Sequence, residues 1–245
     1  MSFTTAPHPL SKLISVILFL FDSIPAGCNA EIEHQASGPL ATRTNTHDAS
    51  ASSGDAGSKP IEALSPTTMA AASKSLYLQG IRALIRYVPQ HFKSSHIDST
   101  VEKLLECSKG TSSYEQVHAA ERALENMAES KSIDPEQCMA ALSKHLLIAS
   151  TAGENAAVTL LTLRALTKLI GRLPSEDITK AIPSLKPALF ASLNGGEVDM
   201  RKAAVFLIVE MHSRLGEDVM QELEGLTASQ QKLVSIYINR RKQTV

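Results

Sequence analysis

Apolar side chains recur at an interval of 42 residues through much of this chain. Three series and one pair share the interval: Leu105, Leu147 and Leu189; Leu124, Leu166 and Ile208; Met127, Leu169 and Met211; Leu173 and Leu215. One such series could arise by chance in a leucine-rich helical chain, but three in phase indicate an internal repeat. A period of roughly 40–47 residues with two helices in each unit is typical of HEAT repeats.

Within these repeats the apolar residues follow the 3.6-residue period of an α-helix. Two helical faces are predicted: Val158, Leu161, Ala165, Leu169 and Leu173; and Met200, Ala204, Leu207, Met211 and Leu215. Turn signals separate the helices. They are capping boxes at Ser112–Glu115 and Thr227–Gln230, an N-cap at Asp134 before Pro135, breaks at Pro174, Pro183 and Gly216, and a turn with positive φ at Gly195–Gly196.

A helix pair of this kind cannot bury its apolar face alone, so neighbouring pairs stack into a solenoid. The sequence therefore predicts an all-α, HEAT-repeat (armadillo-like) α-solenoid of about four helix pairs over residues 76–243. The stretch 198–211 is predicted to start the inner helix of one repeat. Asp199 and Arg201 are expected just before the apolar run of this helix, linking successive turns. Leu233, Ile236 and Tyr237 are predicted to form the inner face of a terminal capping helix.

The first 75 residues have a different composition. Residues 13–21 are almost wholly apolar and are followed by small residues, which resembles a secretory signal peptide. Residues 1–30 are thus interpreted as an apolar leader, with an alternative amino terminus or a short packed helix as the other possibilities. Residues 31–75 are rich in Ser, Ala, Thr, Gly and Asp, and we expect a disordered linker.

Composition and motifs argue against catalysis and against nucleic-acid binding. The formal net charge is −1 and aromatic residues make up only 4% of the chain. Cys28, Cys107 and Cys138 lack metal-ligand spacing, and no pair of His stands three or four residues apart. There is no phosphate-binding GxxxxGK[ST] or GxGxxG loop. We therefore expect no enzyme, no cofactor, no metal site and no transmembrane span.

Three helical segments carry a family resemblance. Residues 166–190, 198–218 and 223–241 resemble the carboxy-terminal helical domain of the CLASP family of CLIP-associating microtubule regulators, most like its plant-type members. The likeness extends over about 97–241. It implies a non-enzymatic, microtubule-associated scaffold that recruits microtubule-associated or plus-end proteins in the cytoplasm and cytoskeleton. A secreted or ER-lumenal helical-repeat binding protein is the alternative if the leader is a signal peptide.

Five cations are the candidate partner-binding residues: Arg201, Lys202, Arg240, Arg241 and Lys242. We expect them to pair with an acidic segment of a partner. Tubulin is expected to bind weakly or indirectly, because in related TOG domains a Trp in the turns between paired helices is a common anchor and this chain has no Trp. The corresponding turns are 109–112, 152–155 and 194–200.

Overall fold

The computed structural model describes residues 9–22, 66–109, 113–152 and 156–244. These residues form ten α-helices, one short 3-10 helix and no strand. The helices are α1 (Pro9–Asp22), α2 (Pro66–Tyr87), α3 (Ser94–Glu106), α4 (Tyr114–Glu129), α5 (Pro135–Ala152), α6 (Ala156–Ile170), α7 (Ser175–Asn194), α8 (Val198–Leu215), α9 (Asp218–Glu222) and α10 (Ala228–Thr244), with the 3-10 helix at Pro89–His91. The predicted all-α class is confirmed.

The helices pack in two rows. The first row contains α1, α3, α5, α7 and α9, and the second row contains α2, α4, α6, α8 and α10; each helix contacts the next one in its row. Consecutive helices from the two rows also pack against each other, so that four pairs, α1–α2 to α7–α8, are followed by the short α9 and by α10. This arrangement is the predicted solenoid with its terminal helix, because each pair covers the apolar face of its neighbour.

The solenoid begins before the predicted boundary at residue 76. Helix α2 starts at Pro66, so residues 66–75 of the predicted linker are helical. Proline suits the first position of a helix, and the alanines that follow it are strong helix formers. Residues 31–65, 110–112 and 153–155 lie outside the described residues. The division into 1–30, 31–75 and 76–243 stays a prediction.

Helix α1 contains the apolar run of the predicted leader and packs against α2 and α3. Ile14 and Leu18 are buried, and the Oγ of Ser15 lies 3.0 Å from the Nε2 of His96 on α3. The structure therefore matches one of the three possibilities for residues 1–30, a short packed helix. Among the described residues, no helix is both long and apolar enough to cross a bilayer.

The 42-residue series mark core positions in the second row. Leu124, Leu166 and Ile208 are at most 2% exposed, and so are the three members of the methionine-containing series. The series in the first row, Leu105, Leu147 and Leu189, has one member outside the core. Leu147 is 44% exposed while its neighbour Leu146 is fully buried. One residue along a helix turns the side chain by about 100°, so the repeat was predicted one position out of phase in α5.

The helix ends confirm some turn signals and correct others. Thr227 and Gln230 form the predicted capping box, Asp134 accepts from the amide of Glu136, and Gly216 ends α8 with φ of 71°. The other box is shifted by one residue, because Ser113 caps α4 with Gln116 as its partner.

Two further turn predictions are wrong. Pro183 lies inside α7 together with Pro187 and does not break it. Both prolines are on the exposed face, where water can satisfy the carbonyls that lose their amide donors. Gly195 ends α7 with φ of −66°, so this turn does not need the left-handed backbone that only glycine adopts easily.

The terminal helix α10 faces inward with different residues from those predicted. Val234 and Ile238 are buried, whereas Leu233 and Ile236 are 36% and 40% exposed. Tyr237 is half-buried and packs edge-on against Phe206 of α8 at 5.5 Å. Only Tyr237 of the three predicted residues therefore contributes to the inner side of the helix.

Candidate functional site

The first pair of predicted binding cations lies in the first turns of α8. Helix α8 begins at Val198, so Asp199 and Arg201 lie in its first turn, just before the apolar run of the helix. The Nη1 of Arg201 donates to the carbonyl of Gly195 at 3.1 Å, so this guanidinium closes the turn within its own repeat. Lys202 is exposed, and its Nζ lies 3.7 Å from a carboxylate oxygen of Asp199. Exposed pairs of this kind contribute little to stability, which leaves Lys202 able to change partners.

The other three cations lie in the last turns of α10. Arg241 makes an ion pair with Glu210 of α8, so it holds the terminal helix on the solenoid. The guanidinium carbon of Arg240 is 5.5 Å from the ring centroid of Tyr237, within the range of a cation–π contact. Lys242 is exposed.

The two groups of cations do not form one cluster. Arg241 reaches α8 at Glu210, nine residues after Arg201. At a rise of 1.5 Å per residue this separates the groups by roughly 13 Å along α8. The contact between Phe206 and Tyr237 lies between them. The five predicted residues therefore form two separate basic groups, one at the start of α8 and the other at the end of α10.

Each basic end borders a groove. Lys202 lies beside a groove of about 220 Å³ between α6 and α8, together with Arg164, Lys168 and the exposed ring of Phe206. Arg241 and Lys242 lie beside a groove of about 590 Å³ between the ends of α8 and α10. The lining of the second groove includes Val209, Ile238, His212 and Glu217.

Neighbouring repeats are joined by arginines that the search for apolar repeats missed. Arg172 donates through Nη1 to the carbonyl of Ala128 at 2.6 Å and through Nη2 to the carbonyl of Ile133 at 2.9 Å. Arg214 stands 42 residues later and donates to the carbonyl of Leu173 at 3.0 Å. The interval that located the core would have located these links too, had it been applied to polar residues.

No protein-family model matches the chain. The chain is 35% identical over 173 residues to CLIP-associating protein 1-B of Xenopus laevis, a match that covers 71% of this chain and 11% of that protein. CLIP-associating protein 1 of Xenopus tropicalis is 34% identical over 173 residues, again covering 71% of this chain and 11% of that protein. The CLIP-associated protein of Arabidopsis thaliana is 31% identical over 170 residues, covering 69% of this chain and 11% of its own length.

Over about 170 residues this chain is similar to the CLASP family. The matched stretch is longer than the range 97–241 over which the resemblance was predicted. The identities to animal and plant members lie within four percentage points of each other, so both kingdoms share the likeness. The chain spans about 11% of the length of these CLASP relatives.

The two cysteines among the described residues of the CLASP-like domain lie away from solvent. Cys107 and Cys138 are free and buried, and burial raises the pKa of each thiol to about 12. Both therefore stay protonated at neutral pH, where only a thiolate would be a nucleophile. Among the residues with described placement, no group of His, Cys, Asp or Glu could hold a metal ion.

Proposed function

We propose that this protein is a non-enzymatic, microtubule-associated scaffold whose helical repeats recruit other proteins. The homology to CLIP-associating proteins over 71% of the chain carries the proposal. The two grooves beside α8, one shared with α6 and the other with α10, support it, because each combines apolar side chains with cations at its border. Surfaces of this composition suit protein partners, which usually bring apolar anchors and a charged rim.

Recruitment rather than direct tubulin binding is the proposed mode of action. The turns between paired helices would form the tubulin-facing edge by analogy with TOG domains. The turn between α7 and α8 offers Gly195, Gly196 and Glu197, and the chain has no Trp. Large aromatic residues and arginine usually dominate the energetics of protein interfaces. The edge is thus poorly suited to hold tubulin, and the partners we propose are microtubule-associated or plus-end proteins.

Imaging the full chain with a fluorescent tag at either terminus tests the proposal. We expect both tagged proteins in the cytoplasm along microtubule arrays, and we expect this pattern to be lost when microtubules are depolymerised. A signal confined to the secretory pathway would refute the proposed location and support the alternative of a lumenal binding protein.

A second measurement addresses tubulin directly. The purified chain is mixed with tubulin at low salt and passed over a gel-filtration column. We expect the two proteins to elute separately at low micromolar concentration. Co-elution would show that the chain binds tubulin itself, and the indirect mode would then be wrong.

A further inference from the structure

No helix in the described part of the chain covers the outer face of α10, the side that points away from α8. Each earlier helix of the second row packs against the one that follows it. In α10, Val234 and Ile238 point to α8, and Leu233 and Ile236 remain 36% and 40% exposed. Ile236 is two residues from both buried positions, so it lies about 200° around the helix from them. The exposed pair therefore faces away from the solenoid.

The exposed residues have the spacing of a helix-docking stripe. Leu233, Ile236 and Arg240 follow each other at intervals of three and four residues. Side chains at this spacing line one side of a helix and are the positions through which helices pack on one another. A helix laid on this stripe would continue the stacking that already joins the second row.

The charge of α10 specifies what kind of helix fits. The helix contains Lys232, Arg240, Arg241 and Lys242 but no Asp or Glu, although the whole chain has a net charge of only −1. Arg241 is engaged by Glu210 of α8. Lys232 and Arg240 lie on the same side of the helix as the apolar pair. The Arg240 guanidinium also lies over the ring of Tyr237. Lys242 lies on the side of Ile238 and lines the groove beside α8. A second copy of the chain would bring cations against cations, which disfavours self-association through this face.

We propose that the outer face of α10 docks an amphipathic helix of a partner protein with an apolar stripe flanked by Asp and Glu. The proposal rests on the proposed function, since it names the surface and partner chemistry of a recruiting scaffold. It also divides the five predicted cations by role. Arg240 contacts the partner together with Lys232, whereas Arg201 and Arg241 hold the fold together through Gly195 and Glu210. Lys242 borders the groove between α8 and α10.

Fluorescence anisotropy with a labelled synthetic peptide tests the docking face. The probe is a helical peptide of about three heptads with Leu at the a and d positions and Glu beside them. We expect the intact chain to bind it with micromolar affinity, and binding to weaken at least tenfold between about 50 mM and 500 mM salt because the flanking charges are exposed. The same peptide with Lys in place of Glu should not bind.

Two variants and one control locate the contact. Leu233→Ser with Ile236→Ser should weaken peptide binding at least tenfold, and so should Lys232→Gln with Arg240→Gln. Leu147→Ser removes a side chain of similar exposure from α5 and should leave binding unchanged. Circular dichroism should show native helix content in all three, because the substituted residues are outside the core.

The results separate the docking face from the proposed function. Absent or salt-insensitive peptide binding, or equal binding by the α10 variants and the intact chain, overturns the docking face. If an unstructured poly-Glu peptide binds as tightly as the helical probe, only charge is recognised, and this outcome also overturns the docking face. If the α10 variants still follow microtubules in cells, recruitment uses another surface and the proposed function survives. If the intact chain does not associate with microtubules in cells, the proposed function itself is contradicted.

Discussion

Replacing Leu166 with Ala removes a fully buried side chain from the middle of the second row. Such a change costs the transfer free energy of the deleted atoms plus the energy of the cavity that remains, in total about 2–5 kcal/mol. A domain is usually stable by only about 5–15 kcal/mol, so the loss is a large fraction of the whole. Leu166→Asp would bury an unpaired carboxylate as well and should abolish folding.

Leu147→Ala is the matched control. Leu147 belongs to a 42-residue series just as Leu166 does, but 44% of it is exposed. Burying a Leu side chain completely contributes about 1.5–3 kcal/mol, so truncating one that is little more than half-buried, without leaving a closed cavity, should cost roughly 1 kcal/mol. The sequence pattern alone would assign the two substitutions equal effects, whereas the structure assigns them different ones.

Urea unfolding monitored by circular dichroism at 222 nm measures both variants. The unfolding midpoint of Leu166→Ala should fall clearly below that of Leu147→Ala at an unchanged slope. Repeat proteins can depart from two-state unfolding, so a fluorescence probe attached to α10 should give the same midpoint before free energies are compared. Equal losses in the two variants, or a larger loss for Leu147→Ala, would refute the assignment of inner and outer positions.

Arg172→Ala should lower the free energy of unfolding by about 1.5–3 kcal/mol, since it removes charge-assisted hydrogen bonds to the carbonyl of Ala128 at the end of α4 and to that of Ile133 in the next loop; Arg172→Lys should recover part of the loss in the same urea assay. Burial lowers the pKa of His96 and His145, so below about pH 6.5 the unfolded chain binds protons that the folded chain does not. The free energy of unfolding should therefore decrease as the pH falls from 7.5 to about 5, less steeply after substitution of both histidines by Gln. Cys107 and Cys138, whose pKa is raised to about 12, should react slowly with a thiol reagent until the chain is unfolded, in a variant whose amino-terminal cysteine is Ser.

The sequence predicted the fold class because apolar side chains at one interval report equivalent positions in a stacked array. It could not assign every side chain to the inside. Leu146 and Leu147 are both apolar, so sequence alone does not decide which of them faces inward in α5, and only the packing of α5 against its neighbouring helices selects Leu146. The same ambiguity affects the predicted break at Pro183, because a proline on an exposed helix face interrupts one hydrogen bond without ending the helix.

Helix α10 shows more clearly what a pattern of apolar residues leaves undecided. Apolar residues stand on two of its sides, Leu233 and Ile236 on one and Val234 and Ile238 on the other. Hydrophobic periodicity gives the two sides similar weight, and the choice is made by contacts with α8 that lie far apart in sequence. The five candidate binding cations could not be placed relative to one another for a related reason: sequence reveals a cation but not its acceptor, and Arg241 finds its acceptor 31 residues away. Their role in binding stays a prediction.

The arginine links explain why the repeats can stack in a fixed register. Helices end with carbonyls that have no intrahelical donor, and the loops that follow add more. A guanidinium has five donors in a rigid fork, so a single Arg172 satisfies two such carbonyls of the preceding repeat, one near the end of α4 and one in the next loop. Arg214 repeats the contact 42 residues later at the loop after α6. Hydrogen bonds of this kind depend on distance and direction, so polar as well as apolar contacts set the register of the stacked repeats.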